Sequence, residues 1–292
     1  MKLISFIHNN ITRVGAVIGD TVIDSLNQPH IPQNMLDFLE AGQPALDALQ
    51  ALSNNKQAHL ALQEVALLAP VPRPNKFLGI GLNYAEHIAE TVYEKPEYPT
   101  FFTKHNSCVI ATGEAIHLPA VSEKLDYEVE LAVVIGTRCR NVPLDKAHEM
   151  IVGYTIVNDV TVRDWQMRTP TWMIGKSFDT HGPMGPWIVT KDEISDPHNL
   201  TLKSWVDDEL RQSSNTQHMV FNCYEMIAYL SQAMTLEPGD VISTGTPGGV
   251  GVSMKPRGYM KAGQRVKIEI EKIGSLSNYV INTPEGFIAN NK

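Results

Sequence analysis

The run LDYEVELAVVIG, residues 125–136, alternates apolar and acidic side chains at its start and becomes wholly apolar at its end. A period of two marks a β-strand, in which residues two apart share a face roughly 7 Å apart along the backbone. Glu128 and Glu130 therefore converge from one face, and a third carboxylate, Asp159, follows a second apolar run at 151–157. Carboxylates gathered at one point repel one another unless a cation sits among them. An all-oxygen set suits a hard ion such as Mg²⁺ or Mn²⁺, completed by water or substrate oxygens. A half-solvated strand produces the same Glu-x-Glu spacing, so the pair alone does not decide between the two.

Outward from this run, strand-like segments dominate: KFLGIGLN, CVIATGEAIHLP, YTIVNDV, GPWIVT, LTLKSWVDD, DVISTGT and RVKIEIEKIGSLSNYVI. Short helices are predicted at 84–91, 145–150, 160–168 and 223–234. Many strands with few helices predict a β-rich α+β fold. At the N-terminus, residues 3–26 read as short strands with turns at Asn9-Asn10 and Gly19-Asp20. Leu36, Leu39, Leu46, Leu49 and Leu52 recur at helical spacing within 34–69. Pro70, Pro72 and Pro74 then punctuate APVPRPNKF, which reads as a linker. The expected organisation is a small N-terminal α+β domain, 1–70, and a catalytic domain, 71–292.

A chain of 292 residues with 43% hydrophobic and 19% charged content buries a sizeable core. Its net charge of -8 argues against nucleic-acid and anionic-membrane partners. Cys108, Cys139 and Cys223 are far apart and form no C-x-x-C, which points to a reducing compartment and no zinc site. The opening MKLISFIHNN lacks a signal-peptide core and no stretch approaches a membrane span, so the expected location is cytoplasmic.

Several local patterns carry chemistry. In a helical turn after Asp159, Arg163 and Gln166 would lie with it at i, i+4 and i+7, setting a carboxylate, a guanidinium and an amide on one face. A surface Asp159–Arg163 ion pair is the plainer alternative. His87 and Glu90, three apart in NYAEHIAE, fit a base held by its carboxylate, with Glu86 as a competing partner. Lys176 lies between Ile174 and Phe178, where burial would demand an anionic partner. Gly175-Lys176-Ser177 is not a P-loop, because Pro170 stands where its first glycine belongs. GTPGGVG, 245–251, and Gly79-x-Gly81 both fail the dinucleotide fingerprint. The former could still offer backbone N–H groups and the Thr246 hydroxyl to a carboxylate. No G-x-S-x-G occurs, which disfavours a serine hydrolase.

Together, GLNYAEH with Glu90, LDYEVELAVVIG, NDVTVRDWQ, GKSFDTHGPMGPW and LEPGDVISTGTPGGVG resemble, in order, the fumarylacetoacetate hydrolase family over roughly residues 73–285. The resemblance implies a mixed β-sandwich or roll that assembles as a homodimer, with 1–70 similar to the N-terminal domain of longer bacterial members. It implies a divalent metal, Mg²⁺ or Mn²⁺, on Glu128, Glu130 and Asp159. Arg163, Gln166 and Thr246 match substrate-binding positions. Lys176 matches a lysine that stabilises a developing enolate. His87 and Glu90 match a dyad on a lid over 84–98. Relatives often carry Lys-Pro where this chain has Lys104-His105, a change at the pocket rim.

The activity so implied is hydrolysis of a C–C bond in a small 2,4-diketo acid of the acylpyruvate or fumarylpyruvate type, as in the catabolism of aromatic compounds. His87 would activate water, and a pyruvate enolate would leave. Decarboxylation or tautomerisation of oxaloacetate, or isomerisation of a 2-hydroxyhepta-2,4-diene-1,7-dioate, would use the same site. A non-catalytic small-ligand binder would have lost a ligand or the dyad, and this sequence retains both.

Overall fold

The structure is a computed structural model that describes residues 1–54, 59–91 and 93–285. Its architecture is β-rich α+β. A 12-stranded mixed sheet packs against a 5-stranded sheet, and a third pair of strands closes the rim. Central in the large sheet is the strand Val129–Ile135. It pairs antiparallel with Ile151–Asn158 and with Val241–Ser243. Val241–Ser243 in turn pairs parallel with Phe77–Gly81.

The 125–136 run does not form one alternating strand. Leu125–Asp126 pairs with Thr161–Val162 at the rim, and the ladder of the main sheet begins only at Val129. Between them the Glu128 N–H donates to the Asn158 side chain at 3.0 Å, outside the strand ladder. Nor is one face solvated, for every residue of Val129–Ile135 is buried. Val129, Leu131, Val133 and Ile135 join a core with Leu202, Val266, Ile268 and Leu276 of the smaller sheet. Ala132 and Val134 join a second core with Phe38, Leu39 and Leu49. A strand covered on both faces is mostly apolar, so Glu130 within it and Glu128 just before it sit in a low-dielectric interior.

The N-terminal strand Lys2–His8 pairs with Ile11–Ile18 on one side and with Gly182–Thr190 on the other. The main sheet thus runs across residue 70, and Leu3 and Val14 share a core with Val157, Met184 and Val241.

Helix from 34 to 69 was too broad an expectation. Two helices, Met35–Ala41 and Gln43–Leu52, meet at Gly42, whose φ of 65° suits glycine. The short strand His59–Ala61 then returns to the sheet edge, and residues 55–58 of that span lie outside the described residues. Strands Thr100–Thr103 and Glu209–Asn215 escaped the sequence pattern, the latter because its residues are mostly polar. The expected helix at 223–234 is observed as Cys223–Ala233, with a reciprocal Asn222–Glu225 capping box at its start. The expected helix at 145–150 is a 3₁₀ helix, Leu144–Met150. Among the described residues no helix is long and apolar enough to cross a membrane.

Candidate active site

Four strand ends converge at one end of the main sheet. The start of Val129–Ile135 brings Glu128 and Glu130, and the end of Ile151–Asn158 delivers Asp159. Val241–Ser243 leads into the glycine-rich loop, and Phe77–Gly81 into the helix Ala85–Ala89 that carries His87. One oxygen from each of Glu128, Glu130 and Asp159 lies within 4.8 Å of the others. All three are buried, at 3%, 1% and 0% exposure.

Their partners differ. Lys176 Nζ donates to Glu128 Oε2 and Asp159 Oδ2, each at 2.6 Å. Arg163 Nη2 lies 2.7 Å from Glu128 Oε1, and the fully buried Lys104 reaches Asp159 Oδ1 at 2.7 Å. Burial opposes ionisation of Glu128, but Lys176, Arg163 and then His87 outweigh it and hold the carboxyl well below its usual range. Lys176 is also buried, yet Asp159 and Glu128 keep its ammonium charged beyond the ordinary range.

Glu130 has no ion-pair partner among the described residues. One of its oxygens accepts from Ser243 Oγ and from the Gly245 N–H at 3.0 Å. Burial first, then the charges of Asp159 and Glu128, push this carboxyl well above its usual range. A buried carboxylate that lacks a counter-charge and faces two others fits a divalent cation. The donor set is therefore suited to Mg²⁺ or Mn²⁺ and unsuited to softer metals.

The Asp159–Arg163 ion pair considered from the sequence does not form. The helix there is a single turn, Arg163–Gln166, and begins beyond Asp159. Arg163 turns instead to Asp126 at 2.8 Å and donates to the Gln166 side chain at 3.1 Å. Asp126 is a site residue the sequence reading passed over. It also accepts from the N–H groups of Gly251 and Val252.

The glycine-rich loop performs a different task from the one expected of its N–H groups. Gly245 donates to Glu130, Gly249 to Glu90 at 2.9 Å, and Gly251 with Val252 to Asp126. One loop thus orients a carboxylate of the triad, the carboxylate of the dyad and the carboxylate behind Arg163. Glycine is required at Gly249, whose φ is 99° and where a Cβ would lie 2.2 Å from the Arg211 carbonyl oxygen. Thr246 remains on the cavity wall, its hydroxyl accepting from Gln212 Nε2 at 2.8 Å.

His87 Nδ1 lies 2.8 Å from Glu90 Oε1, as the spacing predicted. Glu86 does not compete. It turns away to His218 Nδ1 at 2.8 Å and to the Ser214 hydroxyl, fastening the helix to the neighbouring sheet. A cavity of about 380 Å³ is lined by His87, Glu90, Glu128, Glu130, Arg163, Gln166, Lys176 and Thr246. Asp159 lies just beneath its floor. Tyr93, Phe102, Met167 and Trp172 supply an apolar wall.

A family model described as fumarylacetoacetate (FAA) hydrolase C-terminal matches residues 76–281. The chain belongs to the fumarylacetoacetate hydrolase family. Enzymes of this family are hydrolases, isomerases or decarboxylases, and this chain is an enzyme of that group. It is 42% identical, over 90% of its length and 83% of the relative's, to a mitochondrial oxaloacetate tautomerase of Xenopus laevis. A fumarylacetoacetate hydrolase from Exiguobacterium antarcticum superposes with a TM-score of 0.86 at 36% identity, over 97% of this chain and 100% of that one. A maleylpyruvate hydrolase from Sphingobium sp., solved with manganese(II) and pyruvate, superposes with a TM-score of 0.80 at 32% identity and the same coverage.

The segment 84–98 is tied down at several points, among them Glu86 to His218, Glu90 to Gly249, Tyr93 edge-on to Trp172 at 6.4 Å and Tyr98 stacked on Tyr229 at 6.4 Å. Val92 of this segment lies outside the described residues. If the segment is a lid that orders over ligand, its amide hydrogen exchange should slow when Mg²⁺ and oxalate, a mimic of the pyruvate enolate, are added. Unchanged exchange at saturating oxalate would count against a lid.

Proposed function

We propose that the cavity takes a small 2-oxo acid and moves a proton at the carbon beside its 2-oxo group, so that the enzyme interconverts the keto and enol forms of an oxaloacetate-like acid. The observation that carries this reading is the His87–Glu90 dyad lining the same cavity as the buried carboxylate triad. A divalent cation held by Glu128, Glu130 and Asp159 supplies Lewis acidity toward a 2-oxo group and its carboxylate.

The chain's own groups account for the rest. Glu90 engages His87 Nδ1 and leaves Nε2 as the nitrogen that exchanges a proton with substrate. Lys176 is charged, buried and aimed at the triad, where negative charge develops as the enolate forms. Arg163 and Gln166, joined by their own hydrogen bond, shape the neighbouring wall. The apolar side of the cavity limits water around the developing charge. The 42% identity to the Xenopus tautomerase supports this order of preference.

Hydrolysis of a 2,4-diketo acid is the second reading. The Sphingobium hydrolase of like fold supports it, and a dyad of this kind equally takes a proton from water. The two are separated by measuring, with Mg²⁺, the rate of oxaloacetate keto–enol interconversion and the release of pyruvate from acylpyruvates and fumarylpyruvate. Accelerated interconversion is expected. Cleavage without interconversion would put hydrolysis in its place, and inertness toward every compound would sink both readings.

A further inference from the structure

Of the two arginines that line the cavity, Arg163 pairs with carboxylates of the protein and Arg257 pairs with none among the described residues. Arg257 is exposed and lines the same cavity as the dyad and the triad. Its backbone is well anchored. Gly251 and Val252 are held by Asp126, the Gly258 N–H closes back onto the Gly251 carbonyl at 2.8 Å, and Met260 bonds to the Leu125 carbonyl at 2.8 Å. An anchored loop therefore carries an uncommitted guanidinium on the wall.

The other cations near the triad are committed. Lys104 serves Asp159, Lys176 serves Glu128 and Asp159, and Arg163 serves Asp126 and Glu128. A 2-oxo acid has its first carboxylate provided for at the triad. A second carboxylate would enter a cavity that already holds Glu90, Glu128 and Glu130. It would be repelled unless a free cation met it. Among the cavity-lining residues Arg257 is the one with that freedom, and its planar fork matches a carboxylate in two parallel hydrogen bonds.

We propose that Arg257 is a specificity-determining residue that binds the distal carboxylate, so that the preferred substrates are 2-oxo dicarboxylates rather than 2-oxo monocarboxylates. This rests on the reading of the cavity as a 2-oxo acid site. It assigns no part in proton transfer to Arg257, which acts on binding alone.

The test compares pyruvate with oxaloacetate, which differ by the distal carboxylate, in equilibrium binding to the Mg²⁺-loaded wild type, Arg257→Gln and Arg257→Lys. Wild type is expected to hold oxaloacetate more tightly than pyruvate. Arg257→Gln should weaken oxaloacetate roughly tenfold, the scale of one partly exposed charge-assisted contact, and leave pyruvate within about twofold. Arg257→Lys should restore part of the loss. Mg²⁺ affinity and melting temperature should not move, because the side chain is exposed and makes no bond to the triad. If Arg257→Gln keeps the wild-type preference, or weakens both acids equally, the assignment is overturned. If neither acid binds the Mg²⁺-loaded wild type, the 2-oxo acid reading itself falls and the assignment with it.

Discussion

Glu130→Gln should abolish Mg²⁺ binding at working concentrations while leaving the fold intact. Changes to groups that merely support a metal ligand typically cost 10–100-fold in affinity, and removing a charged ligand should cost more than about 100-fold. The stability of the metal-free protein should move the other way. The Glu130 carboxyl is held above its usual range by burial and by the charges of Asp159 and Glu128. A group whose folded pKa is raised favours folding below its unfolded pKa, and that contribution is lost as pH rises through the folded value. At neutral pH in chelator, wild type should therefore melt no higher than Glu130→Gln, which carries no such charge. Added Mg²⁺ should raise the wild-type melting temperature and leave the variant unmoved. An equal Mg²⁺ shift in both proteins would remove Glu130 from the ligand set.

His87→Ala should lower the rate of proton transfer by roughly 10²–10⁴-fold, the usual loss for a general base. Mg²⁺ binding should survive, since His87 bonds to Glu90 and to none of the triad. Hydrolysis of an acylpyruvate, if wild type performs it, should fall as far, because water needs the same base. Decarboxylation of oxaloacetate should fall less, since withdrawal of electrons toward the 2-oxo group needs no base. Glu90→Gln offers a milder comparison, because its amide can still accept at one atom while disturbing the Gly249 contact. A His87→Ala protein within a few-fold of wild type in interconversion would remove the dyad from the chemistry.

The positions of these groups were legible where chemistry and periodicity coincide. Glu128-x-Glu130 and His87-x-x-Glu90 are local spacings at the start of a strand and the end of a helix, close enough in sequence for both members to stay together on folding. Asp126 stands at the preceding step of two, but the chain leaves the main ladder between it and Val129, so the alternation does not place it. Lys104 and Ser243 were not legible. Each meets its carboxylate across a long span of sequence, 55 residues for Lys104 and 113 for Ser243, and only the register of the sheet brings them together. The alternation in 125–131 was compatible with a solvated face, yet both faces are covered. That covering comes from the smaller sheet and the helices near residues 35–52, and no local pattern announces that they pack on this strand.

The pairing of Lys2 with Val189 has a consequence for how the chain is made. A ribosome delivers the first strand long before its partner, Gly182–Thr190, exists. At typical elongation rates the interval is about ten to forty seconds. Phe6 and Ile7 meet the early Ala66–Leu67 strand, but through that time the edge at Lys2 and Leu3 stays unpaired. Open edges of this kind recruit other strands. The nascent chain therefore carries a short open edge at its very start until nearly two-thirds of it has been synthesised, and the sheet closes there only when Ile188 and Val189 arrive.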